Sequence, residues 1–127
     1  MEREQVILVV DDEVDLITIF ERTLRRAGYR VLSALNGEEA LQVVEQEAGK
    51  IDLVISDVVM PKMAGRELAW RLHTQYPQIP MVLLSGYADR DAALEMMDPD
   101  QPRFLEKPID LAELEDVVRE ILSDGSD

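Results

Sequence analysis

The chain has 127 residues, of which 27 are acidic and 13 basic, with no cysteine and a formal net charge of −14. This length fits one domain, and 46% hydrophobic with 31% charged residues is the composition of a globular protein. The negative charge argues against nucleic acid and anionic membranes as partners, and the lack of cysteine excludes a disulfide framework and a thiolate metal site. No apolar run is long enough for a bilayer and no signal pattern opens the chain, so we expect a cytoplasmic protein.

Short apolar runs alternate with helical patterns along the chain. Nearly continuous apolar runs are typical of strands buried on both faces of a parallel sheet. The predicted strands are Val6–Val10, Arg30–Ala34, Leu53–Ser56, Met81–Ser85 and Arg103–Glu106, the second and fifth being weaker. Helices are predicted over about 16–27, 36–48, 65–76, 90–97 and 110–122. The second and last of these helices begin with the capping patterns Asn36…Glu39 and Asp110…Glu113.

These elements form five successive strand–helix units. Right-handed crossovers between parallel strands place helices on both faces of the sheet, so we predict a doubly wound α/β sandwich. The whole chain, 1–127, is a single domain in this prediction, with a core of about 5–122 and a polar tail at 123–127. In such folds, ligands bind at the carboxyl ends of the strands.

Polar residues stand at four of the five predicted strand ends. Asp11, Asp12 and Glu13 follow the first strand, Asp57 the third, Ser85 the fourth and Lys107 the fifth. Each of the short polar residues alone is a common helix cap. Together they place carboxylates at one edge of the sheet, and oxygen ligands without histidine or cysteine suit Mg²⁺. A metal, an ammonium and a hydroxyl around a carboxylate make a phosphoryl-transfer site, with Asp57 as the best candidate for the nucleophile and Asp11 and Asp12 as the metal pair.

Four motifs in order give this chain a family resemblance. The segments Val-Val-Asp-Asp-Glu at 9–13, Asp-Val-Val-Met-Pro-Lys-Met-Ala-Gly at 57–65, Leu-Ser-Gly at 84–86 and Phe-Leu-Glu-Lys-Pro at 104–108 resemble the receiver domain of two-component response regulators. The resemblance covers about residues 5–122. It implies a flavodoxin-like sheet of order 2-1-3-4-5. It also implies that a histidine of a sensor kinase or phosphotransfer protein donates a phosphoryl group to Asp57.

The resemblance assigns further roles. It implies that Asp12, Asp57 and the backbone carbonyl of Val59 ligate Mg²⁺, or Mn²⁺ in its place, while Asp11 acts mainly through water. Lys107 would contact the phosphoryl group, and its bond to Pro108 is expected to be cis. Ser85 and Phe104 would form a switch that changes the surface of the fourth helix, fifth strand and last helix. Such a chain is a signalling switch rather than an enzyme, and it controls a protein partner as a monomer or as a phosphorylation-dependent dimer.

The first helix suggests a docking surface for the phosphodonor. The core-facing residues of this helix are predicted to be Leu16, Ile19, Phe20, Thr23, Leu24 and Ala27. Val14 then points away from the core and Ile17 lies at the edge of the buried face. We expect these two apolar residues, with Pro108 and Ile109, to contact the donor.

Several alternatives remain. A phosphoaspartyl-type hydrolase would use the same nucleophile, although Val59 cannot supply its acid group, and an interaction module of this fold without phosphorylation is also open. A flavin mononucleotide carrier is disfavoured because Asp11 and Asp12 would repel its phosphate. A P-loop NTPase would need a glycine-rich loop followed by Lys-Ser or Lys-Thr, and the sequence does not contain one. A stand-alone regulator and the receiver of a longer hybrid kinase or regulator are both compatible with the motifs.

Overall fold

The computed structural model describes residues 4–58, 63, 65–86 and 103–124 of the chain. Five strands lie in this part: β1 (Val6–Val10), β2 (Arg30–Ala34), β3 (Leu53–Asp57), β4 (Met81–Ser85) and β5 (Arg103–Glu106). They match the predicted strands, except that β3 runs one residue further, to Asp57. The predicted helix at 90–97 and Val59 lie outside the described residues.

All five strands are parallel and form one sheet in the order β2-β1-β3-β4-β5. This confirms the predicted flavodoxin-like topology. Every residue of β1, β3 and β4 is buried, whereas the edge strands β2 and β5 are only partly buried. Continuous apolar runs therefore correspond to the three central strands, because only these are covered on both faces.

Four helices flank the sheet in the described part of the chain: α1 (Val14–Arg26), α2 (Gly37–Gln46), α3 (Gly65–Gln75) and the C-terminal helix (Leu111–Asp124). The Asn36 side chain accepts a hydrogen bond from the Glu39 N–H at 2.9 Å, as the capping pattern predicts. Asp110 accepts bonds from the N–H groups of Ala112 and Glu113 at the start of the C-terminal helix. This helix continues to Asp124, two residues beyond the predicted end at 122.

The second helix ends earlier than predicted. Its last residue is Gln46 rather than Ala48. Ala48 and Gly49 both have positive φ values, 55° and 74°. The chain thus leaves the helix through two left-handed residues rather than through the glycine alone.

Two apolar clusters pack on opposite faces of the sheet. On one face, alternate β1 residues Val6, Leu8 and Val10 pack with side chains of α2 and α3. On the other face, Ile7 and Val9 pack with side chains of α1 and the C-terminal helix. Alternation along each strand therefore supplies both layers, as expected for a doubly wound sandwich.

The orientation of α1 differs from the prediction. Its buried residues are Ile17, Phe20 and Leu24, whereas Ile19 is 45% exposed and Ala27 is exposed. Ile17 belongs to the same buried cluster as Leu114 and Val118 of the C-terminal helix. The neighbouring helix covers the Ile17 side of α1, so the prediction that Ile17 is available for docking is wrong.

Candidate functional site

Three carboxylates meet where β1 and β3 end. These strands are neighbours, with Val10 opposite Ser56, so Asp11 follows β1 beside the terminal residue of β3, Asp57. One carboxylate oxygen from each of Asp11, Asp12 and Asp57 lies within 4.8 Å of the other two. At that distance two unit charges repel by about 3.5 kcal/mol at an effective dielectric constant of about 20. The cluster predicted from the sequence is therefore present, and it needs positive charge nearby.

Asp11 is the most enclosed member of the cluster. Its residue is fully buried, and its Oδ1 accepts a hydrogen bond from the Glu13 N–H at 2.9 Å. Burial raises the pKa of the Asp11 carboxyl, the bond from Glu13 opposes this, and the charge of Asp57 raises the pKa further. The net shift is upward, so part of the charge repulsion is relieved by a greater tendency of Asp11 to hold a proton.

Lys107 brings an ammonium to the same point from the loop after β5. Its Nζ lies 2.9 Å from Asp57 Oδ2 and 3.3 Å from Asp11 Oδ2. Burial alone would lower the pKa of Lys107, but the hydrogen bond to Asp57 and the charges of Asp11 and Asp57 outweigh it and leave the pKa raised. Lys107 is therefore charged and is held between the ends of β1 and β3.

Glu13 is a third partner of Lys107 that the sequence analysis did not identify. Its Oε1 lies 3.6 Å from Lys107 Nζ, and its side chain is 65% exposed. The only available signal was that Glu13 is the third acid in the run after β1. Nothing in the spacing distinguishes an acid that reaches Lys107 from one that caps α1.

Ser85 ends β4 beside the cluster. It is buried, and its carbonyl accepts a hydrogen bond from the Lys107 N–H at 2.9 Å, which joins the ends of β4 and β5. Phe104 pairs with Leu83 across these two strands and packs against the α2 and α3 side of the sheet. Ser85 follows Leu83 by two residues, so it faces the same side of the sheet as Phe104.

The predicted docking residues have different environments. Val14 is 59% exposed at the start of α1, and Pro108 is exposed after β5. Ile109 is half-buried and packs against the cluster that contains α1, whereas Ile17 is buried as described above. The Lys107–Pro108 bond is cis, as expected. Of the predicted docking residues, Val14 and Pro108 are therefore exposed, and Ile17 is not.

The donor set fits a hard divalent cation. Three carboxylates converge without histidine or cysteine, and Asp12 is exposed, which leaves the cluster accessible from solvent. Mg²⁺ is bound by few carboxylates and retains water ligands, so this arrangement is suitable for it. The predicted backbone ligand, Val59, lies outside the described residues.

Comparison with known proteins agrees with these features. A family model described as the response regulator receiver domain matches residues 7–119. The chain belongs to this family. Receiver domains are signalling modules. The strand order found here, 2-1-3-4-5, is that of the receiver fold.

Several longer proteins contain a related receiver domain. The chain is 38% identical to the sensor kinase CckA of Brucella abortus, with 91% of the chain and 12% of that protein covered. It is 38% identical to the transcriptional regulatory protein ZraR of Klebsiella oxytoca, with 97% and 28% covered. For the transcriptional regulatory protein PhoP of Bacillus subtilis the identity is 37%, with 91% and 48% covered. The chain spans less than half the length of each of these relatives.

Solved structures of similar size have the same fold. A response regulator receiver domain protein from Clostridium thermocellum gives a TM-score of 0.88 at 27% identity, with 95% of this chain and 96% of that one covered. The signal receiver domain of an HD domain-containing protein from Pseudomonas fluorescens gives 0.85 at 31% identity, with 98% and 90% covered. These likenesses extend over the whole receiver fold.

ZraR and PhoP are named transcriptional regulatory proteins, and the expectation of no nucleic-acid partner does not fit those longer relatives. That expectation follows from the net charge of this chain, −14. Within the described residues, no helix is both long enough and apolar enough to cross a membrane.

Proposed function

We propose that this receiver domain accepts a phosphoryl group on Asp57 from a phosphorylated histidine of a sensor kinase or phosphotransfer protein. The observation that carries the proposal is the convergence of Asp11, Asp12, Asp57 and Lys107 at the ends of β1, β3 and β5. Family membership supports a signalling role for this cluster. The phosphorylated form would act on a protein partner rather than turn over a substrate.

The chemistry assigns a role to each side chain. A carboxylate oxygen of Asp57 attacks phosphorus, the phosphorus–nitrogen bond to the donor histidine breaks, and the bonding electrons return to the imidazole nitrogen. The new acyl phosphate places additional negative charge at the end of β3. Lys107, already 2.9 Å from Asp57, is positioned to neutralise that charge, and the Ser85 hydroxyl can donate to a phosphoryl oxygen.

We expect the reaction to require a divalent cation. Asp12, Asp57 and the backbone carbonyl of Val59 would hold Mg²⁺, or Mn²⁺ in its place, and Asp11 would act mainly through a water ligand. When bound there, the ion would stabilise the negative charge on the phosphoryl oxygens while the group is transferred. The protein contributes the fixed convergence of the carboxylates, which is costly without a cation because they repel one another.

The signal would leave the site through β4 and β5. Phosphoryl oxygens would draw Ser85 toward Asp57, and Phe104 faces the same side of the sheet as Ser85. A change in the packing of Phe104 would then alter the surface formed by β5, the C-terminal helix and the predicted helix at 90–97. This gives a route from one charge change to a protein-binding surface.

We further propose that the donor docks on the apolar surface beside the acidic cluster. Val14 follows Glu13 in the chain and Pro108 follows Lys107, and both are exposed, whereas Ile109 is half-buried. Val14→Asp should slow transfer from a protein donor but leave phosphorylation by a small donor unchanged. Ile19→Asp is the matched control, because Ile19 is also exposed on α1 and is 45% accessible.

Labelling with acetyl phosphate tests the proposal without a cognate kinase. Wild-type protein incubated with acetyl phosphate and Mg²⁺ should gain the mass of one phosphoryl group, and chelation of Mg²⁺ should prevent the gain. Asp57→Asn should remain unlabelled under all conditions. Failure of the folded wild-type protein to be labelled would overturn the proposal.

The same experiment separates the two remaining candidates. A phosphoaspartyl-type hydrolase would turn over a phosphoester repeatedly, with the phosphorylated protein present only as a short-lived intermediate. An interaction module without phosphorylation would show no mass gain although it binds its partner. A labelled species that persists for minutes supports the receiver function against both.

A further inference from the structure

Glu13 occupies a capping position without capping its helix. It is the N-cap residue of α1, yet its side chain makes no capping hydrogen bond. Instead Oε1 lies 3.6 Å from Lys107 Nζ. The short side chains of serine, threonine, aspartate and asparagine normally accept from a free N–H of the first turn at this position, and Glu13 makes no such bond.

Lys107 and a divalent cation need the same carboxylates. Lys107 contacts Asp57 Oδ2 and Asp11 Oδ2, and both aspartates belong to the cluster proposed to bind Mg²⁺. When a divalent cation enters this cluster, the Lys107 ammonium already neutralises part of the negative charge of the carboxylates. The ammonium must move outward or weaken the binding of the ion, because two cations around the same oxygens repel each other.

Glu13 lies on the solvent side of the carboxylates for which the ammonium and the divalent cation compete. Its side chain is 65% exposed, whereas those of Asp11 and Asp57 are 0% and 8% exposed. An ammonium drawn toward Glu13 therefore moves away from the buried oxygens but stays within the site. There it remains available for a phosphoryl group.

We propose that Glu13 is a positioning residue that acts through Lys107: when a divalent cation displaces the ammonium from Asp11 and Asp57, Glu13 holds the ammonium on the solvent side of the cluster and so reduces its competition with the cation. This inference rests on the proposed Mg²⁺-dependent function. It predicts that loss of Glu13 weakens Mg²⁺ binding only while Lys107 is present. A general effect of negative charge would act equally with and without Lys107.

A double-mutant cycle on the Mg²⁺ dissociation constant tests the inference. Calorimetric titration of the full chain with Mg²⁺ should show that Glu13→Gln raises the dissociation constant about threefold, the size expected for a partly exposed ion pair. In a Lys107→Ala background the same change should have no more effect than the control Asp15→Asn, which removes one charge from the exposed first turn of α1. Equal effects of Glu13→Gln in both backgrounds, or none in the wild type, would overturn the inference.

Glu13→Asp provides a test that does not depend on the folding of Lys107→Ala. The shorter side chain keeps the charge, but aspartate is a favoured N-cap residue and should bond to α1 instead of reaching Lys107. We expect Glu13→Asp to weaken Mg²⁺ binding as Glu13→Gln does. Wild-type affinity in Glu13→Asp would contradict the contact with Lys107. Absence of Mg²⁺ binding by the wild-type protein would instead overturn the proposed function itself.

Discussion

The two ends of the sheet use aspartate in different ways. At the amino end, Asp52 precedes β3, and its Oδ2 accepts a hydrogen bond from the Val6 N–H at 2.7 Å. Its own N–H donates to the Val6 carbonyl at 2.8 Å, so Asp52 extends the pairing of β1 and β3. At the carboxyl end, Asp11 and Asp57 share the ammonium of Lys107 and lie close to a third carboxylate.

The difference shows that the surroundings of a carboxylate decide its role. Asp52 is bonded to a backbone donor whose strand it stabilises. The carboxylates at the other end are brought close together by the strand order, and the ammonium of Lys107 compensates part of their repulsion. The first arrangement is structural, whereas the second is the one that we propose binds a cation and accepts a phosphoryl group.

The largest expected effect is at the carboxyl end. Lys107→Ala removes the ammonium positioned to neutralise charge developing on the phosphoryl group, and loss of one such preorganised donor commonly costs about 100-fold in rate. We expect a decrease of that size in the rate of labelling by acetyl phosphate, measured by mass spectrometry. Lys50→Ala, at an exposed lysine before β3, should be labelled at the wild-type rate. A Lys107→Ala rate within twofold of wild type would mean that Lys107 is not part of the site.

At the amino end the expected effect is on stability alone. Asp52→Ala leaves the Val6 N–H without its acceptor, and a buried donor left unpaired costs about 2 kcal/mol. Urea unfolding should show this loss, while labelling of Asp57 stays unchanged. Asp52→Asn is the control, because its amide oxygen can still accept from Val6. If Asp52→Ala altered labelling but not stability, the proposed contrast between the two ends would be wrong.

Mg²⁺ should stabilise the folded protein by binding at the carboxyl end of the sheet. This stabilisation should not depend on Asp52 at the amino end. At free Mg²⁺ about ten times its dissociation constant, the folded state gains about 1.4 kcal/mol, or about 5 °C in melting temperature for a chain of this length. Asp12→Asn should lose most of this gain, and Asp52→Asn should keep it. Thermal unfolding with and without chelator makes the comparison. An undiminished gain in Asp12→Asn would place the ion elsewhere.

A smaller effect is expected from the contact between Gly37 and Met63. A Cβ added to Gly37, the first residue of α2, would lie 2.7 Å from both the carbonyl oxygen and the Cβ of Met63. Displacing Met63 outweighs the helix propensity gained by alanine, so Gly37→Ala should lower the free energy of unfolding by about 1 kcal/mol. Glu38→Ala, on the exposed side of the same turn, should change it little. A stabilised Gly37→Ala would show that Met63 moves freely.

The sequence was sufficient for the fold and for the members of the acidic cluster. Continuous apolar runs indicate the central strands because burial on both faces leaves few polar positions before the strand ends. Asp11, Asp57, Ser85 and Lys107 could be predicted because parallel strands bring their carboxyl ends to one edge of the sheet. The cap at Asn36 could be predicted as well, because it involves only residues three positions apart in the sequence.

Contacts between elements distant in the chain could not be predicted in this way. The packing of the C-terminal helix beside α1 determines that Ile17 is buried and Ile19 exposed, and the helical period alone allows either. Glu13 and Lys107 are far apart in sequence, as are Asp52 and Val6. The partner of each of these carboxylates is set by the tertiary fold, which brings distant parts of the chain together. It is not set by the residues next to the carboxylate in sequence.

Locating the phosphoryl group within the chain tests the central claim most directly. After labelling with acetyl phosphate and Mg²⁺, borohydride reduction converts an acyl-phosphorylated aspartate into homoserine, and peptide mass spectrometry then identifies its position. Our account predicts homoserine at Asp57 alone. Homoserine at Asp11 or Asp12, with Asp57 intact, would contradict it.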